Sequence, residues 1–347
     1  MVNSQNFSFF LVISKVPDSR RRGVPTEVYK SHTTQGGRIE GNELNSSAWW
    51  IRAFLPGFTK VFSHDLITRL SLGYANAKWL ARFQGWQERS MKAYYLIHFQ
   101  YLGFRFHGWQ KQPKVRTVEL MLEKTLGFVL GHKEFKILGA SCTDAMVSAD
   151  HSLCELFLNQ PLADLSRLSD ELNTHLPGDI RVLSIEETTK EFNIINSPRI
   201  KEYAYYFAFG EKFHPFCAPL MAWVPGDLDI ERMKQGAALF HGKHEFGQYC
   251  TQPEPGTLTQ REVLVTRIEE NRALQASFFP EKSWVWTVHS KGFLRNQIRL
   301  MMGQLICLGR GDVDLRTIKD SLTARGSCPL RQIAPASGLI LSKIRLL

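Results

Sequence analysis

From Met91 onward the apolar residues switch repeatedly between two spacings, and that switching constrains the fold more than any other feature of the chain. MKAYYLIHFQYLG alternates apolar and polar positions, as a strand with one buried face does. VELMLEKTLGFVLG then sets Val118, Leu122, Thr125, Leu126 and Val129 on one face of a helix. FKILGA reads as a second strand and HSLCELFL as a third. A Leu-rich helix is expected over 163–174, and Pro177-Gly178 turns the chain into the strand IRVLSIEET. Strand, helix, strand, strand, helix, strand is the split order of a ferredoxin-like unit. The remainder repeats that order more loosely. A strand at EYAYYFAFG precedes a helix over 229–240, the strands EVLVTRIEE and SWVWTVHS, a helix over 294–308 and a last strand at SGLILSKIRLL. GRGDVD at 309–314 reads as a turn into a helix. The expected class is α+β: two ferredoxin-like α/β halves, 91–195 and 196–347, with antiparallel sheets enclosing a central cleft.

Residues 1–90 have a different texture. Arg20, Arg21 and Arg22 precede SHTTQGGRIEGNELNSS, which carries neither a 3.6 nor a 2.0 period. Trp49, Trp50, Trp79 and Trp86 stand in little aliphatic context, and only 61–82 suggests a short helix. This segment is expected to be an appendage or a mis-assigned upstream stretch. Met91 stands immediately before the first strand, where a start codon would fall.

Composition narrows the class. At 347 residues with 44% hydrophobic and 22% charged content, the chain can bury two cores and is not a disordered polymer. No apolar run reaches the roughly 18–20 residues of a membrane helix. The N-terminus lacks the basic start and small-residue cleavage site of a signal peptide. Six Cys fall singly, with no C-x-x-C pair, as in reduced cytosolic proteins rather than a zinc site or disulfide framework. A soluble cytoplasmic protein without a metal is the expectation. The net charge of +10, more than half of it before Met91, favours a polyanionic partner.

No P-loop, G-x-G-x-x-G, G-x-S-x-G or H-E-x-x-H is present, so no nucleotide, redox or hydrolytic machinery is signalled. The dense motifs are others. They are Tyr101, Gly103, Phe106, His107, Gly108, Trp109, Gln110 and Gln112; Thr117-Val118; the run Ser141 to Ala149; and Leu-Pro-Gly-Asp-Ile at 176–180. Lys201-x-Tyr203-x-Tyr205, Gly242-x-His244-x-Phe246, Arg261, Phe293 to Gly303 around Arg299, and Ala334-Pro335-Ala336-x-Gly338-Leu339 follow. In order and spacing these resemble the bacterial tRNA pseudouridine synthases of the TruA family, over essentially all of 91–347.

The resemblance implies an isomerase that needs no cofactor. It converts uridine to pseudouridine in the tRNA anticodon stem-loop, at positions 38 to 40, and works as a homodimer bridged by tRNA. Asp144 would be the catalytic nucleophile that enables cleavage of the C1′–N1 bond. Read without the resemblance, an Asp after an apolar strand is more often a turn or cap residue. Tyr203 would pack against the flipped base, with Tyr205 given to the core. Arg299, on a helix whose other face is Ile298, Met301, Met302 and Leu305, would pair with Asp144. Arg105, Lys111, Lys114, Arg116, Lys201, Lys243 and Arg295 would grip phosphates. His107, Trp109 and His244 read as structural.

The chain departs from the family's G-R-T-D-A-G-V-H-A signature next to the nucleophile. Cys142 replaces the Arg, Met146 the Gly and Ser148 the His, while Phe192 is followed by Ile195 where a second Arg would stand. A missing guanidinium removes a partner for the carboxylate and a base-flipping wedge. Arg105, Arg199 and Arg295 are the candidates to substitute for it. Three readings therefore stand: an active synthase, a divergent paralogue with another RNA target or little turnover, and a plain ferredoxin-like RNA-binding module. Asp144 and Tyr203 weigh against the last.

Overall fold

The computed structural model describes residues 93–253, 256–323 and 332–347, together with backbone at 10–15, 29–30, 49–55 and 58–62. The chain divides into two compact units, Met1–Arg89 and Ser90–Leu347. In the first, β1 (Phe10–Lys15), β2 (Tyr29–Lys30), β3 (Trp49–Leu55) and β4 (Phe58–Phe62) form an antiparallel sheet in the order β2-β1-β3-β4. No periodicity announces these strands. Of the helix expected over 61–82, residues 61 and 62 end β4, and the rest lies outside the described residues.

The second unit begins with β5 (Ala93–Tyr101), α1 (Val118–Val129), β6 (Phe135–Gly139) and β7 (Ser148–Leu158). Next come α2 (Leu165–His175), β8 (Ile180–Thr188), β9 (Arg199–Phe209) and β10 (Ala222–Val224). The chain continues through α3 (Ile230–Leu239), β11 (Gly242–Glu245), β12 (Gln260–Glu270) and β13 (Trp284–Ser290). It closes with α4 (Gln297–Arg310), α5 (Leu315–Ser321) and β14 (Leu339–Leu346).

These strands make one ten-stranded sheet rather than the two separate sheets expected. Its path is β11-β12-β13-β9-β14-β7-β5-β8, with β6 added to β7 and β10 to β9. The halves are stitched by a short parallel pairing, Ile340 opposite Ser148 and Leu341 opposite Ala149. All other pairings in this sheet are antiparallel except β9 with β10. The joint exists because β7 is long: its C-terminal part pairs with β6, leaving its first two residues free for β14.

Alternation fills the core as the sequence pattern demands. Tyr95, Ile97 and Phe99 on β5 are buried together with Leu122 and Leu126 of α1, and Tyr205 and Phe207 with Trp286. Each such side chain contributes roughly 1.5–3 kcal/mol of burial. Four helices start on a side-chain cap: Thr117 accepts from Leu120 N–H, Asp164 from Arg167, Asp229 from Arg232 and Asp314 from Thr317. α4 has no such cap. Its preceding residue, Asn296, sits at φ 59°, and its first turn opens onto a cleft. Among the described residues no helix is long and apolar enough to cross a membrane.

Candidate active site

The cleft encloses about 750 Å³ between the loop joining β6 to β7, the middle of β9 and the start of α4. The loop is held from below by backbone. Trp109 N–H donates to the Thr143 carbonyl (3.2 Å) and Met146 N–H to the Phe106 carbonyl (3.0 Å). Tyr101 OH and Thr143 Oγ1 are 2.8 Å apart, and Ser148 Oγ accepts from Gly103 N–H at 2.9 Å. Gly108 lies at φ 87°, where a Cβ would stand 2.6 Å from the Thr143 oxygen, so only glycine lets the two loops touch. The HGWQ run is thus the bed on which the Asp144 loop rests. Trp109 is buried against Phe99 and Gly139, as a packing role requires, while His107 is exposed on the cleft wall.

Asp144 faces Arg299 across this space, Oδ2 to Nη1 at 3.4 Å, with both side chains partly exposed. Arg299 is fixed independently of that contact. Its Nε donates to the Ala334 carbonyl at 2.9 Å, its Nη1 to Asn296 Oδ1 at 3.1 Å, and its own carbonyl accepts from Ala334 N–H at 3.0 Å. The Ala-Pro-Ala run therefore aims the guanidinium, and it also anchors Tyr205, whose hydroxyl donates to the Pro335 carbonyl at 2.8 Å. Tyr205 is fully buried, in the core.

Tyr203 lines the cleft, 7% exposed, with Phe293 packed edge-on at 5.5 Å. Burial pushes its hydroxyl up to about 12, so the ring is neutral. Ser141 Oγ lies 3.3 Å from Tyr203 OH and accepts from Lys201 Nζ at 3.0 Å. Lys201 is held down at about 8, chiefly by burial and further by Arg199. Cys142 is an exposed residue of the cleft whose thiol is only partly desolvated; that desolvation pushes it up against the pull of Lys201.

The structure brings Asp144, Tyr203, Arg299, Lys201 and Arg295 to one cleft, and not Arg105. Arg105 donates to Asp179 Oδ2 (3.0 and 2.7 Å), and Arg116 reaches the other oxygen of the same carboxylate at 3.2 Å. Arg199 donates to the Ile194 carbonyl, away from the lining. Arg295 is exposed and donates to Gln252 Oε1 at 3.1 Å. Lys111 is tied to Glu123 at 2.5 Å, and neither it, Lys114 nor Lys243 lines the cleft. Sequence reasoning passed over Ser141, Phe293 and Asn296 as site residues. Ser141 and Phe293 open two of the motifs, and that position was the available signal.

The cleft thus gathers a carboxylate facing an arginine, an aromatic wall and cationic side chains, the kinds of group an active site brings together. Comparison with known proteins agrees. A family model described as tRNA pseudouridine synthase matches residues 237–345. The tRNA pseudouridine synthase A of Mesoplasma florum is 33% identical over 262 residues, covering 72% of this chain and 97% of the relative. That of Exiguobacterium sibiricum is 31% identical, covering 71% and 93%. The tRNA pseudouridine synthase A 2 of a Bacillus cereus strain is 29% identical, covering 72% and 98%. The chain belongs to the tRNA pseudouridine synthase A family, a family of isomerases.

Proposed function

We propose that this protein isomerises uridine to pseudouridine in the anticodon stem-loop of tRNA, at positions 38 to 40, with Asp144 as the nucleophile. The observation that carries the reading is the Asp144–Arg299 pair set beside Tyr203 in the cleft of a family member. An Asp144 oxygen attacks C1′ as the C1′–N1 bond breaks and its electron pair leaves on N1. The uracil anion turns on the face of Tyr203, and C5 attacks C1′ as the bond to Asp144 breaks, returning that pair to the carboxylate. Loss of the C5 proton and protonation of N1 complete the isomer. No atom is gained or lost, and no redox partner is consumed.

Arg299 keeps the carboxylate on line, and Arg295 at the rim of the cleft is the natural phosphate contact. Arg105, on the Asp179 cluster, would reach RNA only beyond the cleft. The same reading carries a cytoplasmic homodimer, two ferredoxin-like halves sharing one sheet, and residues 1–90 as an appendage to the catalytic unit.

Tritium release from tRNA labelled at uridine C5 tests it. Release by the wild type and its abolition in Asp144→Asn, with tRNA affinity retained, is the expected result. An undiminished rate in the variant would remove Asp144 from the chemistry. The exposed Cys142, where the family signature has Arg, favours one second reading: a paralogue that binds RNA with little turnover. Salt-sensitive tRNA binding by a wild type that releases no tritium would select it.

A further inference from the structure

Three cations line the cleft, and they are not equivalent. Arg299 faces Asp144, and Arg295 is solvent-exposed. Lys201 is half-buried, and among the described residues no carboxylate forms an ion pair with it; its hydrogen bond goes to the neutral Ser141 hydroxyl. A partly desolvated ammonium without an ion-paired acid is less favourable than a solvated one until negative charge arrives. Ser141 Oγ also touches the hydroxyl of Tyr203, the ring assigned to the base. The unpaired charge therefore sits at the end of the cleft where the base rests. The charged or titratable groups that act on it are Arg199 on its own strand and Cys142 from the loop, while Asp144, Tyr203 and Arg299 share the cleft lining with it. Its register neighbours Ser290 on β13 and Ile344 on β14 carry no charge.

We propose that Lys201 is a further catalytic residue: its ammonium contacts the departing uracil and stabilises the negative charge that the C1′–N1 electron pair places on the base, with Ser141 holding it in position. Lys201 supplies charge and transfers no proton. The inference rests on the synthase reading above and replaces a phosphate-gripping role for this lysine. Electrostatic groups aimed at developing charge in a secluded site are worth about 10²–10³ in rate. An ammonium held at about 8 is charged below that pH and loses its charge as pH rises through it. Bound RNA, being anionic, moves the inflection upward. Tyr203, pushed up to about 12, stays neutral through that window, and burial moves the Cys142 thiol upward, away from it.

The test uses the full chain in excess over C5-tritiated tRNA, so that each tRNA turns over once. Lys201→Met is expected to slow release by about 10²-fold or more with little change in tRNA affinity. Lys201→Arg recovers most of the rate. The wild-type rate falls through an inflection displaced above the free protein's value of about 8, while Lys201→Arg stays flat over the same range, since a guanidinium keeps its charge. A Lys201→Met protein with wild-type release and weaker binding would overturn the proposal and leave a phosphate contact. Should that variant unfold, the two pH profiles decide, and coincident profiles overturn it. A wild type that releases no tritium sinks the synthase reading and this inference together; an active wild type matched in rate by Lys201→Met sinks this inference alone.

Discussion

Met146 stands two residues after Asp144 at φ 66°, where the Cβ of an ordinary residue crowds the following carbonyl. The resembled signature has glycine there, and the structure supplies the reason. The side chain is exposed, so little packing offsets a strain of roughly 1–2 kcal/mol. Met146→Gly should raise the free energy of unfolding by about 1 kcal/mol, read from denaturant midpoints at constant slope. An unchanged or lower midpoint would mean that the methionine makes interactions that matter. The other departures behave differently. Ser148 replaces a histidine, yet its buried hydroxyl accepts from Gly103 N–H and leaves no unpaired donor beneath the loop. Ser141 adds a hydroxyl that ties Lys201 and Tyr203 together. Cys142 is exposed and, unlike Ser141 and Ser148, stands in for the signature residue without a hydrogen bond that ties the loop down.

The segment joining β8 to β9 shows how an element is pinned by a group the mechanism does not use. Glu155 on β7 is completely buried; one carboxylate oxygen accepts from Ile194 N–H at 3.1 Å and, among the described residues, the other has no partner. Arg199 donates to the carbonyl of the same Ile194. Burial raises the Glu155 carboxyl above the ordinary range, against the Ile194 hydrogen bond and the pull of Lys136. The native state then holds the proton longer than the unfolded chain, so stability falls as pH rises through that window. Glu155→Gln keeps the acceptor without the charge. Its stability should match the wild type near pH 4 and exceed it by about 1 kcal/mol near pH 8, in denaturant titrations at both values. A variant weaker at the higher pH would mean that the charge is needed. Nothing in the alternation of β7 marks Glu155, because one face of that strand is covered by a connector far along the chain. The same limit governs legibility elsewhere. β5 and α1 span whole periods and were readable. β10 and β11, at three and four residues, do not complete a recognisable pattern. β7 begins at Ser148, earlier than HSLCELFL suggests, because Ser148 and Ala149 at its start pair with β14. The two-residue parallel joint has no local signature at all. At the site, Asp144 and Arg299 were legible from motif and helix face. The capture of Arg105 by Asp179 was not, since it depends on a turn 74 residues away.

At the scale of the molecule, the catalytic reading and the charge sit on different parts of the chain. Every residue lining the cleft lies in the Ser90–Leu347 unit, and so does the segment matched by the family model. The relatives are matched over 93–98% of their own length by 71–72% of this chain, leaving a share close to the size of the N-terminal unit. More than half of the net +10, however, falls before Met91. If turnover needs only the cleft, a protein beginning at Met91 should unfold at the same denaturant midpoint as the cleft unit does in the full chain. It should also release tritium at the full-length single-turnover rate when enzyme is saturating. If the N-terminal charges touch RNA, the shortened protein should bind tRNA more weakly at low salt. Its plot of log affinity against log salt should then be shallower by about 0.7–0.9 for each phosphate that is no longer neutralised. Equal slopes with equal turnover would make residues 1–90 passengers. A shortened protein that is folded but turns over slowly at saturation would instead place part of the catalytic machinery in the N-terminal unit, and the division drawn at Met91 would be wrong.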